Sequence, residues 1–182
     1  PSNGSAEIFG MDISDTVKIK EIIGYIPSEV NFYNEMTVKD YINYSNSFYK
    51  EVDLELMNEL IEVLELDTTR KVRNLSFGNK RKVAIILAMV HRPKLLILDE
   101  PTSGLDVLHS VHVRTIIKRY AKEHGATILL SSHNMLEVEY LCNRVALVNK
   151  GKIVVEGSPA ELKTKHNAVN LEEVFEEVVG FA

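Results

Sequence analysis

One cysteine, Cys142, is all that the 182-residue chain contains. That excludes a disulfide framework and a thiolate metal site, and it fits a reducing compartment. Long apolar runs are missing too: none approaches the ~18 residues that a membrane-spanning helix needs. Nor is there an excess of positive charge. The net charge is −5 with both signs interspersed, so no basic face offers itself to a nucleic-acid backbone, and no nucleic-acid partner is expected. The opening residues, PSNGSAEIFG, have neither the basic end nor the apolar centre of a signal peptide. They also lack an initiator Met, so the chain is expected to begin partway into a longer protein. No internal repeat and no low-complexity run occurs. What is present is an ordinary globular composition, 45% apolar, enough for one domain with a sizeable core and a further subdomain.

The apolar pattern divides the chain. Glu7 to Ile13 reads as a short strand with Gly10 as a turn or bulge, and Lys20 to Ile26 as a second strand closed by Pro27. Thr37, with Asp40 three residues on, has the arrangement of a capping box. Val38, Tyr41, Ile42, Ser45 and Phe48 then recur at helical spacing. Asp53 to Leu66 is a clearer amphipathic helix, with Leu56, Leu60, Val63 and Leu64 on one face. Residues 30–75 therefore form a helical insert. Ser76 is placed to cap a helix from Gly78 or Asn79 to about His91, with Val83, Ile86, Leu87 and Val90 as one buried stripe. Arg92-Pro93 ends it. Leu95 to Leu98 is continuously apolar, as in a strand covered on both faces. Val107 to Glu123 predicts a helix ended by His124-Gly125, and Thr127 to Leu130 another fully buried strand. Asn134 caps a short helix to about Cys142. Arg144 to Val148 and Lys152 to Val155 flank a hairpin turn at Asn149-Lys150-Gly151. Ser158-Pro159 opens a helix, and Leu171 to Val179 is acidic and amphipathic. The strand–helix alternation after the insert argues for a parallel α/β sheet.

Chemistry concentrates in Asn74 to Asp106, NLSFGNKRKVAIILAMVHRPKLLILDEPTSGLD. Four apolar residues run straight into Asp99 and Glu100. Charge at the tip of a buried strand is costly unless paired or coordinated, and ligands of open α/β sheets bind at the C-terminal strand edge. Asp99 is placed to hold Mg²⁺, and Glu100 to orient or deprotonate a water attacking a phosphoryl group. By itself, Asp-Glu-Pro reads more readily as a solvated strand exit. His133 also follows an apolar strand, which would bring it to the same crevice if the two strands are parallel neighbours. The Ser76 hydroxyl, the amides around Gly78 and a helix start make an anion site, although by themselves they read more readily as an ordinary N-cap followed by a turn.

Taken together, LSFGN before a basic-apolar helix, then LLILDEPTSGLD, then LLSSHNM, resemble the ATP-binding cassette (ABC) ATPases. The likeness runs from about Ser5 to Gly180. It implies a P-loop NTPase-like α/β core, residues 1–29 and 76–182, around the helical insert of residues 30–75, whose signature part continues to about residue 91. The family's signature, L-S-G-G-Q, reads here Leu75-Ser76-Phe77-Gly78-Asn79, departing at Phe77 and Asn79. Leu95 to Asp99 becomes the Walker B strand with Asp99 on Mg²⁺. Glu100 becomes the catalytic glutamate, Gly104-Leu105-Asp106 the D-loop, and His133 the switch histidine that senses the γ-phosphate of ATP. Ser28 stands where the family has the glutamine of the Q-loop. Its hydroxyl is two bonds shorter and Glu29 is one position off, which weakens the metal contact expected there.

The resemblance also implies partners: a second cassette paired head-to-tail, with each ATP between the phosphate loop of one chain and the signature of the other, and an integral membrane permease. Only 46 residues separate Ser28 from Leu75, which fits the compact insert of transport cassettes rather than a coiled coil. Phe32, Tyr33 and Met36 are the candidate contacts for a coupling helix of the permease, with plain packing of the insert an equal alternative. The ending, NRVALVNKGKIVVEGSPAEL followed by LEEVFEEVVG, resembles the branch that drives multidrug, bacteriocin or sodium export. That places the chain at the inner face of a membrane through its permease. A non-catalytic or regulatory cassette and a soluble translation-type cassette are the alternatives. No G-x-x-x-x-G-K-[ST] phosphate loop occurs in residues 1–182: of nine glycines, only Gly151 precedes a Lys, and Ala146 stands where the first Gly should be. The expectation is a chain that carries the residues acting on ATP, binds it weakly alone, and exposes apolar surface beside the Walker B strand.

Overall fold

The computed structural model describes residues 3–180, so the outermost two residues at each end of the expected core lie outside it. The chain forms two compact units, one up to Leu129 and one from Leu130 onward.

In the first unit, β1 (Glu7–Ile8) and β2 (Met11–Asp12) form a small antiparallel hairpin. Its turn places Phe9 and Gly10 at φ 50° and 75°, the paired positive φ of a type I′ turn. Glu7 to Ile13 is therefore two strands with Gly10 in the turn, not one strand. Helix α1 (Thr16–Ile22) leads without a loop into β3 (Ile23–Ile26). The expected strand from Lys20 thus starts three residues later, because Lys20 to Ile22 continue the helix in which Ile19 is buried.

The two helices expected within residues 30–75 form, the first at the expected Thr37 cap and the second one residue after Asp53, which caps it rather than beginning it. Thr37 accepts the Asp40 amide at 3.1 Å and starts α2 (Val38–Asn46). Asp53 accepts the Leu56 amide at 3.0 Å and starts α3 (Leu54–Val63). Asp53 also pairs with Arg92 at 2.8 Å, and its amide donates to the Val90 carbonyl at 2.7 Å. Both α2 and α3 pack on α4 (Phe77–Met89). That helix is buried from Arg81 to Met89 on every face except at Leu87, so the expected single stripe is a core helix instead. Parallel β3 and β4 (Leu95–Asp99) pair from Ile23–Leu95 to Ile26–Leu98. On β4, Leu96 and Leu98 are buried while Leu95 and Ile97 are only half-buried; one face is sealed, not both.

Helix α5 (Val107–His124) ends on Gly125 at φ 61°, a left-handed C-cap. Its Tyr120 hydroxyl donates to the Pro93 carbonyl at 3.2 Å, and burial pushes the phenol up to about 12. The sheet order is β3-β4-β5, with β5 at Thr127–Ser131. This strand is not fully buried as its apolar run suggests. It lies at the sheet edge among the described residues, and Leu129 is 60% exposed.

The second unit is α6 (Met135–Leu141), the hairpin β6 (Val145–Asn149) and β7 (Lys152–Gly157), α7 (Pro159–Lys165) and α8 (Leu171–Val179). Lys150 and Gly151, at φ 48° and 75°, make another I′ turn. Ser158 and Glu161 complete a capping box for α7. Val138, Val145, Leu147, Leu162, Leu171 and Val174 are its core, so the apolar stripe of the acidic tail is spent inside this unit.

Two measurements test this packing. A Cβ on Gly24 would lie 1.9 Å from the backbone oxygen of Ala88, so Gly24→Ala must push α4 off β3. It is expected to cost about 3 kcal/mol in urea unfolding. The second concerns His91, whose Nε2 bonds the Ile23 carbonyl at 2.9 Å while its ring stacks on Tyr49. Burial holds its pKa below the ordinary value. Its contribution is then present above about pH 6.5, the unfolded value, and is lost as pH falls through the lower folded one. His91→Gln should flatten that part of the stability–pH curve; an unchanged slope would refute the assignment.

Candidate functional site

Three loops of the first unit meet over the N-terminal part of α4. The first is the turn at Leu75–Asn79. Leu75 is buried and anchors it, and the Ser76 hydroxyl accepts the Asn79 amide at 3.2 Å. The N-cap expected of Ser76 is formed, and the helix starts at Phe77, one residue earlier than the earliest expected position. The hydroxyl remains exposed, so capping and presentation to an anion use the same group.

The second loop is the strand exit at Asp99–Glu100. Both residues are half-buried at the end of β4. Glu100 has φ 51°, a left-handed conformation that costs a non-glycine residue roughly 1 kcal/mol or more. Strain of this kind persists where the surroundings hold it, and here the Glu100 carbonyl accepts the Ser103 amide at 3.0 Å. The loop continues through Gly104-Leu105-Asp106. Asp106 caps α5 by accepting the His109 amide at 3.0 Å, and its other oxygen bonds His109 Nδ1 at 2.6 Å. These bonds to His109 hold the Asp106 carboxyl below its usual range.

Two glycines let these loops touch. A Cβ on Gly78 would sit 2.7 Å from the Gly104 carbonyl oxygen, and a Cβ on Gly104, at φ 75°, would sit 2.2 Å from the Phe77 ring. The signature-like turn and the D-loop-like turn are therefore in direct contact. Phe77 covers Gly104 while remaining half exposed, so its departure from the expected glycine has a structural use.

The third loop follows β3. Ser28 is exposed, and it is its carbonyl rather than its hydroxyl that is engaged. The donor is Arg81, which is fully buried. Its guanidinium donates to the Pro27 carbonyl, to the Ser28 carbonyl at 2.5 Å and to the Asp99 carbonyl at 3.5 Å. It also lies 5.4 Å from the centre of the Phe77 ring. Burial lowers its pKa, while the charges of Asp99 and Glu100 oppose that shift. Nothing in the sequence singles out Arg81. A basic residue five places after a helix cap looks like a solvated face, and only its burial distinguishes it.

Among the described residues no group of three or more His, Cys, Asp or Glu side chains could by itself hold a metal ion. The Asp99–Glu100 pair suits instead a hard cation held by one or two carboxylates, with waters and phosphate oxygens completing its shell. Asp99 and Glu100 lie in the first unit. His133 is in the second, exposed, on the loop between β5 and α6.

Residues 1–103 match the family model described as ABC transporter. The chain is 35% identical over 178 residues to the bacitracin transport ATP-binding protein BcrA of Bacillus licheniformis, covering 94% of this chain and 57% of that protein. It spans about half the length of the Bacillus relatives it matches, from 49% to 58%. A solved ATP-binding subunit of an ABC transporter superposes with a TM-score of 0.83 at 24% identity, covering 98% of this chain and 77% of that one. A dimeric ATP-binding cassette solved with ADP and Pi superposes at 0.76 and 20% identity, over 87% and 74%. At these identities the structures establish the fold alone: an α/β cassette with a parallel sheet.

The loop contact is testable by a double-mutant cycle. Gly104→Ala should destabilise by about 2–3 kcal/mol, and in a Phe77→Ala background by only about 1 kcal/mol, the left-handed backbone cost. Equal penalties in both backgrounds would mean that Phe77 does not pack on Gly104.

Proposed function

The chain belongs to the ABC transporter family, and from that premise we propose that it acts as the ATP-hydrolysing subunit of a transporter, powering a membrane permease. The observation that carries the reading is the contact between the Leu75–Asn79 turn and Gly104, beside two acids at the end of a parallel strand. One patch of one unit then serves two nucleotides. Asp99 would hold Mg²⁺ on the chain's own ATP, with Glu100 as the base that orients and deprotonates the attacking water. His133 would sense the γ-phosphate. Ser76, Phe77, Gly78 and Asn79 would face the ATP of a second cassette, and Gly104, Leu105 and Asp106 would lie along that seam. The Mg²⁺ ion, when bound, supplies charge neutralisation between the phosphates. Ser28, whose carbonyl is taken by Arg81, contributes a hydroxyl at most.

Residues 30–75 would be the helical insert that meets the permease. Phe32 packs on Tyr41 at 4.8 Å between ring centres, and Tyr33 reaches both Tyr41 and Tyr44 at about 6 Å. Tyr33 is 62% exposed, an aromatic patch suited to a docking helix. No helix among the described residues is long and apolar enough to cross a membrane, so attachment would run through that partner, at the inner face. Export fits the bacitracin transport relative and the resemblance of the C-terminal stretch. A slow or regulatory cassette is the second reading, favoured by Phe77, whose ring occupies the space over Gly104.

Residues 1–182 hold no G-x-x-x-x-G-K-[ST] loop, so the chain alone should bind ATP weakly. Calorimetric titration with Mg-ATP is expected to show no saturation below about 1 mM. Sub-millimolar binding, or hydrolysis abolished by Glu100→Gln, would overturn this. Capture from membranes should retain a polytopic membrane protein; retention of ribosomes instead would favour a translation-type cassette.

A further inference from the structure

We propose that Glu137 is the positioning residue of His133, fixing the loop that presents it. The catalytic consequence rests on the reading of His133 given above; the geometry does not.

All the contacts lie within the second unit. Glu137 sits in α6 and is fully buried. Its Oε2 accepts the Ser132 hydroxyl at 2.7 Å. The same hydroxyl oxygen accepts the Asn134 amide at 3.1 Å. Asn134 Oδ1 in turn accepts the Glu137 amide at 3.2 Å. These three bonds close a ring through residues 132, 134 and 137. His133 stands between two of its members and is itself exposed. Ser132 is tied to the buried carboxylate and Asn134 to the Ser132 hydroxyl and the Glu137 amide, so the direction in which the His133 side chain leaves the backbone is set before any ligand arrives.

Capping alone does not account for Glu137. The Asn134 side chain caps α6 through the Glu137 amide, which any residue at position 137 would supply. A buried carboxylate is costly, and Oε1 of Glu137 has no hydrogen-bond partner among the described residues, so the cost is incompletely offset. An apolar side chain beside buried Val138 would avoid that cost. What the carboxylate adds is a strong acceptor that pulls Ser132 inward and leaves its oxygen lone pairs facing the Asn134 amide. The gain is therefore geometric and falls on the residue in the middle. A binding group held in place loses less freedom when it meets its ligand.

The test uses NMR of the full 182-residue chain. In Glu137→Gln the amide oxygen accepts the same hydroxyl, so the Ser132, His133 and Asn134 amides should keep order parameters near the rigid value of about 0.85. In Glu137→Ala those values should fall toward about 0.6, and the His133 ring should lose its fixed set of NOEs. Ser132→Ala breaks the ring without emptying the core, and it should reproduce the loss at His133 even if Glu137→Ala fails to fold. Unchanged order parameters and ring NOEs in folded Ser132→Ala would overturn the proposal. So would a Glu137→Gln variant as loose as Ser132→Ala, since charge rather than the hydrogen bond would then be responsible. None of these readouts involves nucleotide, so they decide the positioning whatever becomes of the nucleotide reading.

Discussion

A guanidinium sealed from water beneath three backbone carbonyls holds the first unit's site together. Parallel strands end with their carbonyls pointing past the sheet, and the turns after β3 and β4 leave Pro27, Ser28 and Asp99 with acceptors to satisfy. Arg81 reaches all three. Burying a charge is strongly unfavourable unless hydrogen bonds replace the lost water. Each charge-assisted bond contributes about 1.5–3 kcal/mol where it is made well. A planar fork can serve two loops at once, which the single ammonium of a lysine cannot do with the same geometry. Because Arg81 stands just over one turn after Ser76, the strand ends and the signature-like turn are fastened to one helix.

That fastening explains the close approach on the other side of the turn. Gly78 and Gly104 meet with no room for a Cβ, and Phe77 lies over Gly104 with the Arg81 guanidinium beneath its ring. Beyond Gly104, Asp106 caps α5 and binds His109, whose Nε2 lies 3.9 Å from Glu65 just after α3. Lys82, nearly buried, is also within electrostatic reach of Asp106 and Glu65. The insert, the core helix and the loop after Glu100 thus share one connected set of contacts.

The second unit solves a smaller problem by similar means. A buried carboxylate holds Ser132, whose hydroxyl in turn accepts the Asn134 amide, while a tight I′ hairpin and a full capping box need no long-range support. Its helices α7 and α8 are joined by His166 and Glu177 at 3.2 Å. The apolar stripe of α8 is consumed by the core rather than offered to a partner.

Much of this was legible from residues alone. Thr37, Ser76, Asn134 and Ser158 each cap the helix their position announced, since capping is a local exchange between a side chain and an amide three residues away. The hairpin at Lys150-Gly151 and the helix stop at Gly125 are equally local. Burial was less legible. Thr127 to Leu130 is as apolar as a core strand and lies half open, because burial depends on which layers cover a strand. The Lys20 boundary failed because a β-rich string, KEIIGYI, spans a helix end and a strand start. By itself, then, the sequence determined the order of elements, the caps and turns, and the family to which the motifs belong, all of which follow from short-range chemistry. Tertiary structure alone decided that Arg81 is a core residue, that Phe77 closes over Gly104, and that the Glu137 carboxylate is buried. Those depend on residues distant in sequence meeting where water is excluded, and a buried charge reads the same as a solvated one until its surroundings are known.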